Sequence, residues 1–425
     1  MPTRRGWATA AGAVALVAAG RIFGIFELFV LGAGAAGLLV AGAVAVLVRQ
    51  VDLDASRTVH PTRVHVGADS RVELAVTNLS PRPSPVVAVR DTFTLATPGA
   101  GAGASGRRHA RFLLAPVGAG GRESASYRLP ADHRGIFAVG PLEAEVTDAF
   151  GLWSRVTTIA PSTELTVYPT VETLAPAGYT RGDDPTSGVP RPASVGPNGE
   201  DLYGLRPYEM GDDLRRVHWP STARTGELVV RQLELPWQGR ATVLLDLRDA
   251  VHTDATLETA VSAAASILAG AWRQGALVRL ITTDGTDSGF APGHAHFDAV
   301  MEHLAIVSRG GPDGLDAVLG ALHRPGNGGG LTAVTTAAAL TADADVDRIA
   351  GLRGRFASPT IVAVEGAGGR AAGRQPAGVS LVRVRVGTPL ATSWNRALAV
   401  NWVRPTAPPT SPPPGKWAPS APSDR

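Results

Sequence analysis

The stretch Ala241-Thr242-Val243-Leu244-Leu245-Asp246-Leu247 decides the fold. It is apolar without alternation, so a strand over 241–247 is buried on both faces, as the strands of a parallel sheet are. Downstream, Leu257, Val261, Ala264, Leu268 and Trp272 recur at helical spacing and predict an amphipathic helix. A strand at 277–282 comes next. Two more helical patterns follow, one through Phe297, Val300, Met301, Leu304 and Val307, the other through Leu315, Val318, Leu319 and Leu322. Strands at 331–334, 360–364 and 379–386 complete the alternation, which predicts a doubly wound α/β domain over 171–403.

Toward the N-terminus the period changes to two. Arg71-Val72-Glu73-Leu74-Ala75-Val76 alternates polar and apolar, giving a strand one wet and one dry face. Similar short runs at 86–90, 111–114, 125–129, 137–146 and 165–168 are separated by turn groups such as Asn78-Leu79-Ser80-Pro81. That spacing predicts an all-β, immunoglobulin-like sandwich over 51–170. The Gly/Ala-rich loop 98–106 is too irregular to cradle a phosphate and reads as a hairpin tip.

Before the strands, Leu28–Val48 carries no charge, and about 20 such residues cross a bilayer as a helix. Gly6–Phe26 is also apolar, broken only by Arg21. Helices at about 7–26 and 28–48 predict a transmembrane hairpin within residues 1–50, with Arg21 and Glu27 at its turn. Arg4 and Arg5 before it and Arg49 after it predict that both ends, and the soluble domains, face the cytoplasm. The structural alternative is a signal peptide with Ala8–Gly20 as its apolar region. Residues 404–425, rich in Pro and Ser, read as a disordered tail.

Composition narrows the function. The 425 residues, 44% hydrophobic and 18% charged, suffice for two or three cored units. Cysteine is absent, which excludes disulfide scaffolds, cysteine-ligated zinc, iron–sulfur clusters and thiol nucleophiles. A net charge of +3 is too small for a dedicated nucleic-acid binder.

The densest chemistry lies between the two soluble domains. It reads Gly204-Leu205-Arg206-Pro207-Tyr208-Glu209-Met210-Gly211-Asp212-Asp213-Leu214-Arg215-Arg216-Val217-His218-Trp219, followed by Ser221-Thr222-Ala223-Arg224-Thr225-Gly226. Arginine's planar fork suits carboxylates and phosphates, so Arg206, Tyr208, Gly211, Asp212, Arg215, Arg216, His218, Trp219 and Arg224 form a candidate interaction site. The structural alternative is a capped turn. There Asp212 or Asp213 starts a short helix, Arg215 and Arg216 pair with nearby acids, and Trp219 packs under the sheet.

This segment resembles the signature of a bacterial family, the domain of unknown function 58 family. Asp148-Ala149-Phe150-Gly151-Leu152 resembles the family's Asp-Pro-Phe-Gly-Leu element, and Val167-Tyr168-Pro169 its Val-Tyr-Pro strand end. The resemblance implies a von Willebrand factor type A-like domain and association with a MoxR-type AAA+ ATPase. It implies no reaction. A metal-binding domain of the von Willebrand type carries Asp-x-Ser-x-Ser after its first strand, oxygen ligands that suit a hard cation. Here the corresponding run is Asp246-Leu247-Arg248-Asp249-Ala250, with arginine and alanine at the two serine positions. Asp284-Gly285 follows the second strand, and the strand read as the fourth runs into Thr335-Thr336-Ala337 without an acid. The metal site therefore reads as degenerate at Asp246.

No Walker A loop, nucleophile elbow or pair of histidines at metal-ligand spacing is present, and Val195-Gly196-Pro197-Asn198-Gly199 reads as a turn. The expectation is a membrane-anchored, non-enzymatic adaptor without cofactor, metal or nucleic-acid partner. It would work with a MoxR-type ATPase on envelope-associated complexes. Two alternatives stand beside it: a hydrolase or metal-dependent enzyme of envelope metabolism centred on Asp212, His218 and Asp246, and an extracytoplasmic binding protein.

Overall fold

The computed structural model describes residues 1–48, 51–96, 108–176, 202–208, 217–233, 239–310, 314–324, 328–341, 343–356, 359–366 and 378–402. The loop 98–106, the turn 195–199 and the tail 404–425 lie outside these residues.

Two helices open the chain, α1 (Arg4–Phe23) and α2 (Phe26–Val48), joined at Gly24-Ile25. Arg21 ends the first and Glu27 begins the second, so both charges sit at the turn of the hairpin. Each is long and apolar enough to cross a membrane. Val14, Ile22, Phe26, Leu31, Val40 and Leu47 point outward, an arrangement that lipid favours and water does not.

Nine strands follow: β1 (Leu53–His60), β2 (Arg63–His65), β3 (Asp69–Asn78), β4 (Val87–Leu95), β5 (Arg108–Leu114), β6 (Arg122–Pro130), β7 (Gly135–Thr147), β8 (Ser154–Ala160) and β9 (Thr163–Tyr168). They form one sheet in the order β1-β3-β6 and another in the order β2-β9-β7-β4-β5, with β8 paired to β7. Strand β3 buries every second residue, as its alternation predicts. Its Val72, Leu74 and Val76 share one core with Val87, Val89, Val139, Leu165 and Val167 of the other sheet. A buried ion pair ties the sheets together: Arg57 of β1 donates to Asp91 of β4 at 2.8 and 3.1 Å. The Tyr127 hydroxyl of β6 donates to the same carboxylate at 2.7 Å.

The C-terminal part begins with a small hairpin, β10 (Leu202–Pro207) and β11 (Val229–Leu233), with helix α3 (Trp219–Thr225) between them. Then come β12 (Arg240–Leu245), α4 (Asp254–Arg273), β13 (Leu277–Thr282), α5 (His294–Ile306), α6 (Leu315–Leu322), β14 (Gly330–Thr336), α7 (Asp343–Ala350), β15 (Thr360–Glu365), β16 (Ser380–Arg385) and α8 (Leu390–Trp402). Their sheet runs β13-β12-β14-β15-β16, every pair parallel. Residues of α4, α5 and α8 share a core with Val243, Leu245 and Val334 on one face. Residues of α6 and α7 share another with Leu244, Ala333 and Ile361 on the opposite face. Both faces of β12 are therefore covered, which is why its sequence shows no alternation.

The β unit and the α/β unit are in direct contact. Arg134, 1% exposed, lies between β6 and β7 and reaches the end of α5, where it donates to the carbonyls of Leu304, Ala305 and Val307 at 2.7, 3.3 and 2.7 Å. These are the unpaired acceptors that every helix leaves at its C-terminus. The same guanidinium pairs with Glu258 of α4 at 2.9 Å. Further along, the Glu172 carboxylate accepts the N–H groups of Leu390 and Ala391 at the start of α8. The buried Trp394 indole donates to Ala175 at 3.1 Å.

Candidate functional site

The chain leaves β12 for α4 on one face of the sheet and leaves β14 for α7 on the other. In such sheets a crevice opens between the two strands at their C-terminal ends, the position where ligands bind. Asp246 follows the last residue of β12 and donates its backbone N–H to Val334 of β14 at 2.9 Å, so its carboxylate sits at the mouth of that crevice.

The carboxylate is fully engaged. Its Oδ1 accepts the Arg248 backbone N–H at 3.1 Å and Arg248 Nε at 2.9 Å. Its Oδ2 accepts Arg248 Nη2 at 2.8 Å and the Thr335 hydroxyl at 2.7 Å. A carboxylate offers about four acceptor positions, and four donors fill them. Arg248 Nη2 also donates to Asp345 Oδ2 of α7 at 2.9 Å. Arg348 then pairs with Asp345 and with Asp316 of α6, so charges of alternating sign run from the crevice to the protein surface. The guanidinium thus occupies the place beside Asp246 that a divalent cation would take, and these residues do not fit a metal ion. Among the described residues no group of three or more His, Asp or Glu side chains is arranged to hold one.

The electrostatics follow from the contacts. Burial alone would raise the Asp246 carboxyl, but the hydrogen bonds from Arg248 and Thr335, together with the guanidinium charge, hold it below the usual carboxylate range. Arg248 is shifted up, chiefly by its hydrogen bonds to Asp246. His252, which is 3% exposed, is shifted down because burial disfavours its charged form, with Asp246 and Arg248 pulling in opposite directions. Its Nε2 has no hydrogen-bond partner among the described residues.

A histidine whose folded value lies below the unfolded one stabilises the fold above about pH 6.5, and that stability is lost as pH falls. Urea unfolding from pH 7 to pH 5 should therefore show a decline that His252→Gln flattens. Equal slopes in both proteins would contradict the assignment. Asp246 acts by the same sign at lower pH, its contribution being lost only as pH falls below the ordinary aspartate value of about 3.9.

Of the signature segment, residues 204–208 and 217–226 are described. Arg206 lies on β10, and Tyr208 follows that strand, half-buried, with its backbone N–H bonded to Leu228 at 2.8 Å. Gly211, Asp212, Arg215 and Arg216 fall outside the described residues. Helix α3 is capped by His218, whose Nδ1 accepts the Ser221 N–H at 3.3 Å and lies 2.8 Å from the Ser221 hydroxyl, while the cap expected at Asp212 or Asp213 lies outside the described residues. An imidazole nitrogen at the position just before the first helical residue performs the same acceptor role as a carboxylate. The Ser221–His218 contact is therefore a local cap.

Trp219 departs from expectation. It does not pack under the sheet: it is 64% exposed, on a helix with no buried residue. A seven-residue helix beside a two-stranded hairpin has no opposing layer to bury an indole. Arg224 is exposed on the same helix. The side-chain hydrogen bonds of His218 stay within its own turn, and Asp212, which with His218 and Asp246 centres the enzyme alternative, lies outside the described residues. Asp284 also has a local role, accepting the Thr282 hydroxyl and the Thr286 N–H in the turn after β13.

Sequence reasoning missed Thr335 as a partner of Asp246, and it missed Asp345 altogether. The strand taken as the fourth is the third of its sheet in chain order, and the acid absent from its end is supplied one helix later. The signal was the pair Asp343-Ala344-Asp345, but only the fold shows which strand end it faces.

Residues 204–363 match the family described as "Protein of unknown function DUF58". No curated protein matches the chain. Among solved structures, the CARDB domain of a Pyrococcus furiosus protein is 14% identical over 28% of this chain and 94% of that one, with a TM-score of 0.21. The ApaA protein of Bordetella pertussis is 15% identical over 28% and 96%, also at 0.21. The alkylpurine DNA glycosylase AlkC of Pseudomonas fluorescens is 13% identical over 29% and 33%, again at 0.21. Scores this low assign no shared fold.

Proposed function

We propose, for a chain whose residues 204–363 belong to the domain of unknown function 58 family, that it is a membrane-anchored, non-enzymatic adaptor. The β unit is read as an immunoglobulin-like stalk and the α/β unit as a von Willebrand factor A-like interaction domain. The partner is a MoxR-type AAA+ ATPase, which supplies the nucleotide chemistry for assembling envelope-associated complexes. The observation that carries the reading is the crevice itself. Where a doubly wound sheet would take a ligand, Arg248 fills all the acceptor positions of Asp246 that Thr335 leaves.

Two further facts support it. Trp219 and Arg224 are both exposed on α3, and tryptophan and arginine are among the side chains most enriched at interface hot spots. The arginines flanking the hairpin favour a cytoplasmic placement, where ATP is available to such a partner.

The test is capture of a co-expressed MoxR-type ATPase by the full chain. Trp219→Ala combined with Arg224→Gln removes exposed side chains, so the melting temperature should hold while capture weakens at least tenfold, as loss of a hot spot of about 2 kcal/mol implies. Capture at full strength would move the contact away from α3. No capture by the unaltered chain would remove the ATPase partnership.

A further inference from the structure

The loop 148–153, Asp-Ala-Phe-Gly-Leu-Trp, joins β7 to β8 and is part of neither the crevice nor the signature segment. Its shape is fixed from within: Asp148 accepts the N–H groups of Phe150 at 3.0 Å and Trp153 at 2.5 Å, and the Gly151 N–H returns to the Asp148 carbonyl at 3.0 Å. This turn buries Leu152 and leaves Phe150 59% exposed at its tip.

The loop is bound to the hairpin. The Thr3 N–H donates to the Leu152 carbonyl at 2.9 Å, the Thr3 hydroxyl to the Gly151 carbonyl at 2.6 Å, and Pro2 pairs with Trp153 as an antiparallel bridge. Two glycines permit the approach. A Cβ at Gly6 would stand 2.2 Å from the Leu152 carbonyl oxygen, and one at Gly42 would stand 3.1 Å from the Trp153 ring and 3.2 Å from Asp148.

The depth of that contact follows from helix geometry. Gly42 lies about 24 Å along α2 from Phe26, at about 1.5 Å per residue, short of the ~30 Å hydrocarbon thickness. Beyond it α2 stays apolar, with Val44, Leu47 and Val48 exposed, and an open apolar groove lined by Gly37, Val40, Ala41, Val44, Ala45 and Val48 runs past the same level. A bilayer that covers those side chains reaches the docked loop as well. Trp7, 66% exposed in the first turns of α1, is a second aromatic at this end of the hairpin, and aromatic side chains concentrate at the membrane interface.

We propose that the 148–153 loop is a second membrane contact, in which Phe150 enters the boundary between headgroups and acyl chains beside the hairpin and holds the β unit against the bilayer. The inference rests on the membrane-anchored reading above, and its test separates the two. Because the chain has no cysteine, a single thiol can be labelled at will. Phe150→Cys, Leu47→Cys and Asp249→Cys, each in the full chain, are labelled with an environment-sensitive fluorophore in vesicles of phosphatidylcholine and phosphatidylglycerol.

The label at position 150 should be quenched by lipids with a nitroxide near the headgroup and be several-fold less accessible to aqueous iodide than the label at 249. Adding Gly42→Leu, which displaces the loop, should expose position 150 to iodide while position 47 stays in lipid. If position 150 behaves like 249 while 47 is in lipid, the loop is no membrane contact and the anchor stands. Protection from iodide without quenching by the lipid nitroxide would mean that Phe150 is covered by protein, which also overturns the proposal. If position 47 is itself in water, the anchor falls and the loop contact with it.

Discussion

Replacing Arg248 with alanine should lower the unfolding free energy by about 3–5 kcal/mol, the cost of stranding a buried charge whose partner is removed. Asp246 and Asp345 are 3% and 7% exposed, and both lean on this guanidinium. A like-sized uncharged replacement of the pair behaves differently, because Asp246 no longer carries an unpaired charge and Asp345 keeps Arg348. The double variant Asp246→Asn, Arg248→Met should therefore recover most of the loss, and a double-mutant cycle from denaturant unfolding gives the coupling directly. If Arg248→Ala alone unfolds at the native midpoint, the guanidinium does not hold the crevice.

Arg134→Met should cost about 3 kcal/mol or more, since each buried carbonyl left without a donor is worth about 1–3 kcal/mol. Leu304, Ala305 and Val307 would all lose theirs. Glu258 contributes little to that figure, its side chain being 45% exposed and able to turn to water. The consequence beyond stability is weaker coupling between the units, which leaves the half-exposed, weak Arg63 pairs with Asp298 and Glu302 and the packing of Tyr168 of β9 in the α/β core. Unfolding followed by one probe in each unit should change from coincident to separate transitions, with Arg134→Lys intermediate, since lysine keeps the charge without the fork. Coincident transitions at an unshifted midpoint would show that Arg134 does not join the units.

Much of the architecture was legible. The unbroken apolar run 241–247 and the helical spacing from Leu257 to Trp272 located β12 and α4, because burial on both faces and on one face leave different periods. What escaped notice has weak periods for physical reasons. Strand β8 is exposed over most of its length, so nothing selects apolar residues there. Helix α7 buries Val346 and Ile349 but begins with acids, and β10 has for its one neighbour β11, the strand that the apolar residues of 227–235 predict.

At the site, the sequence displayed Asp246 and the arginine two residues on, and the inference of a cation's place taken by a guanidinium needed only that spacing. Thr335 and Asp345 could not be read the same way. Their distance along the chain carries no information about which strand end they meet. Trp219 was misjudged because an indole in a signature segment suggests a core, and only the thinness of the hairpin shows that none is there.

Arg248 closes the crevice to metal, which calorimetric titration of the full chain with magnesium and manganese can check. No binding near physiological concentrations is expected for the unaltered protein. Arg248→Ser, which frees Asp246 and supplies a hydroxyl, should bind weakly if it folds, and Asp246→Ala should not. A micromolar site in the unaltered chain that disappears in Asp246→Ala would mean that the guanidinium does not hold the cation's place.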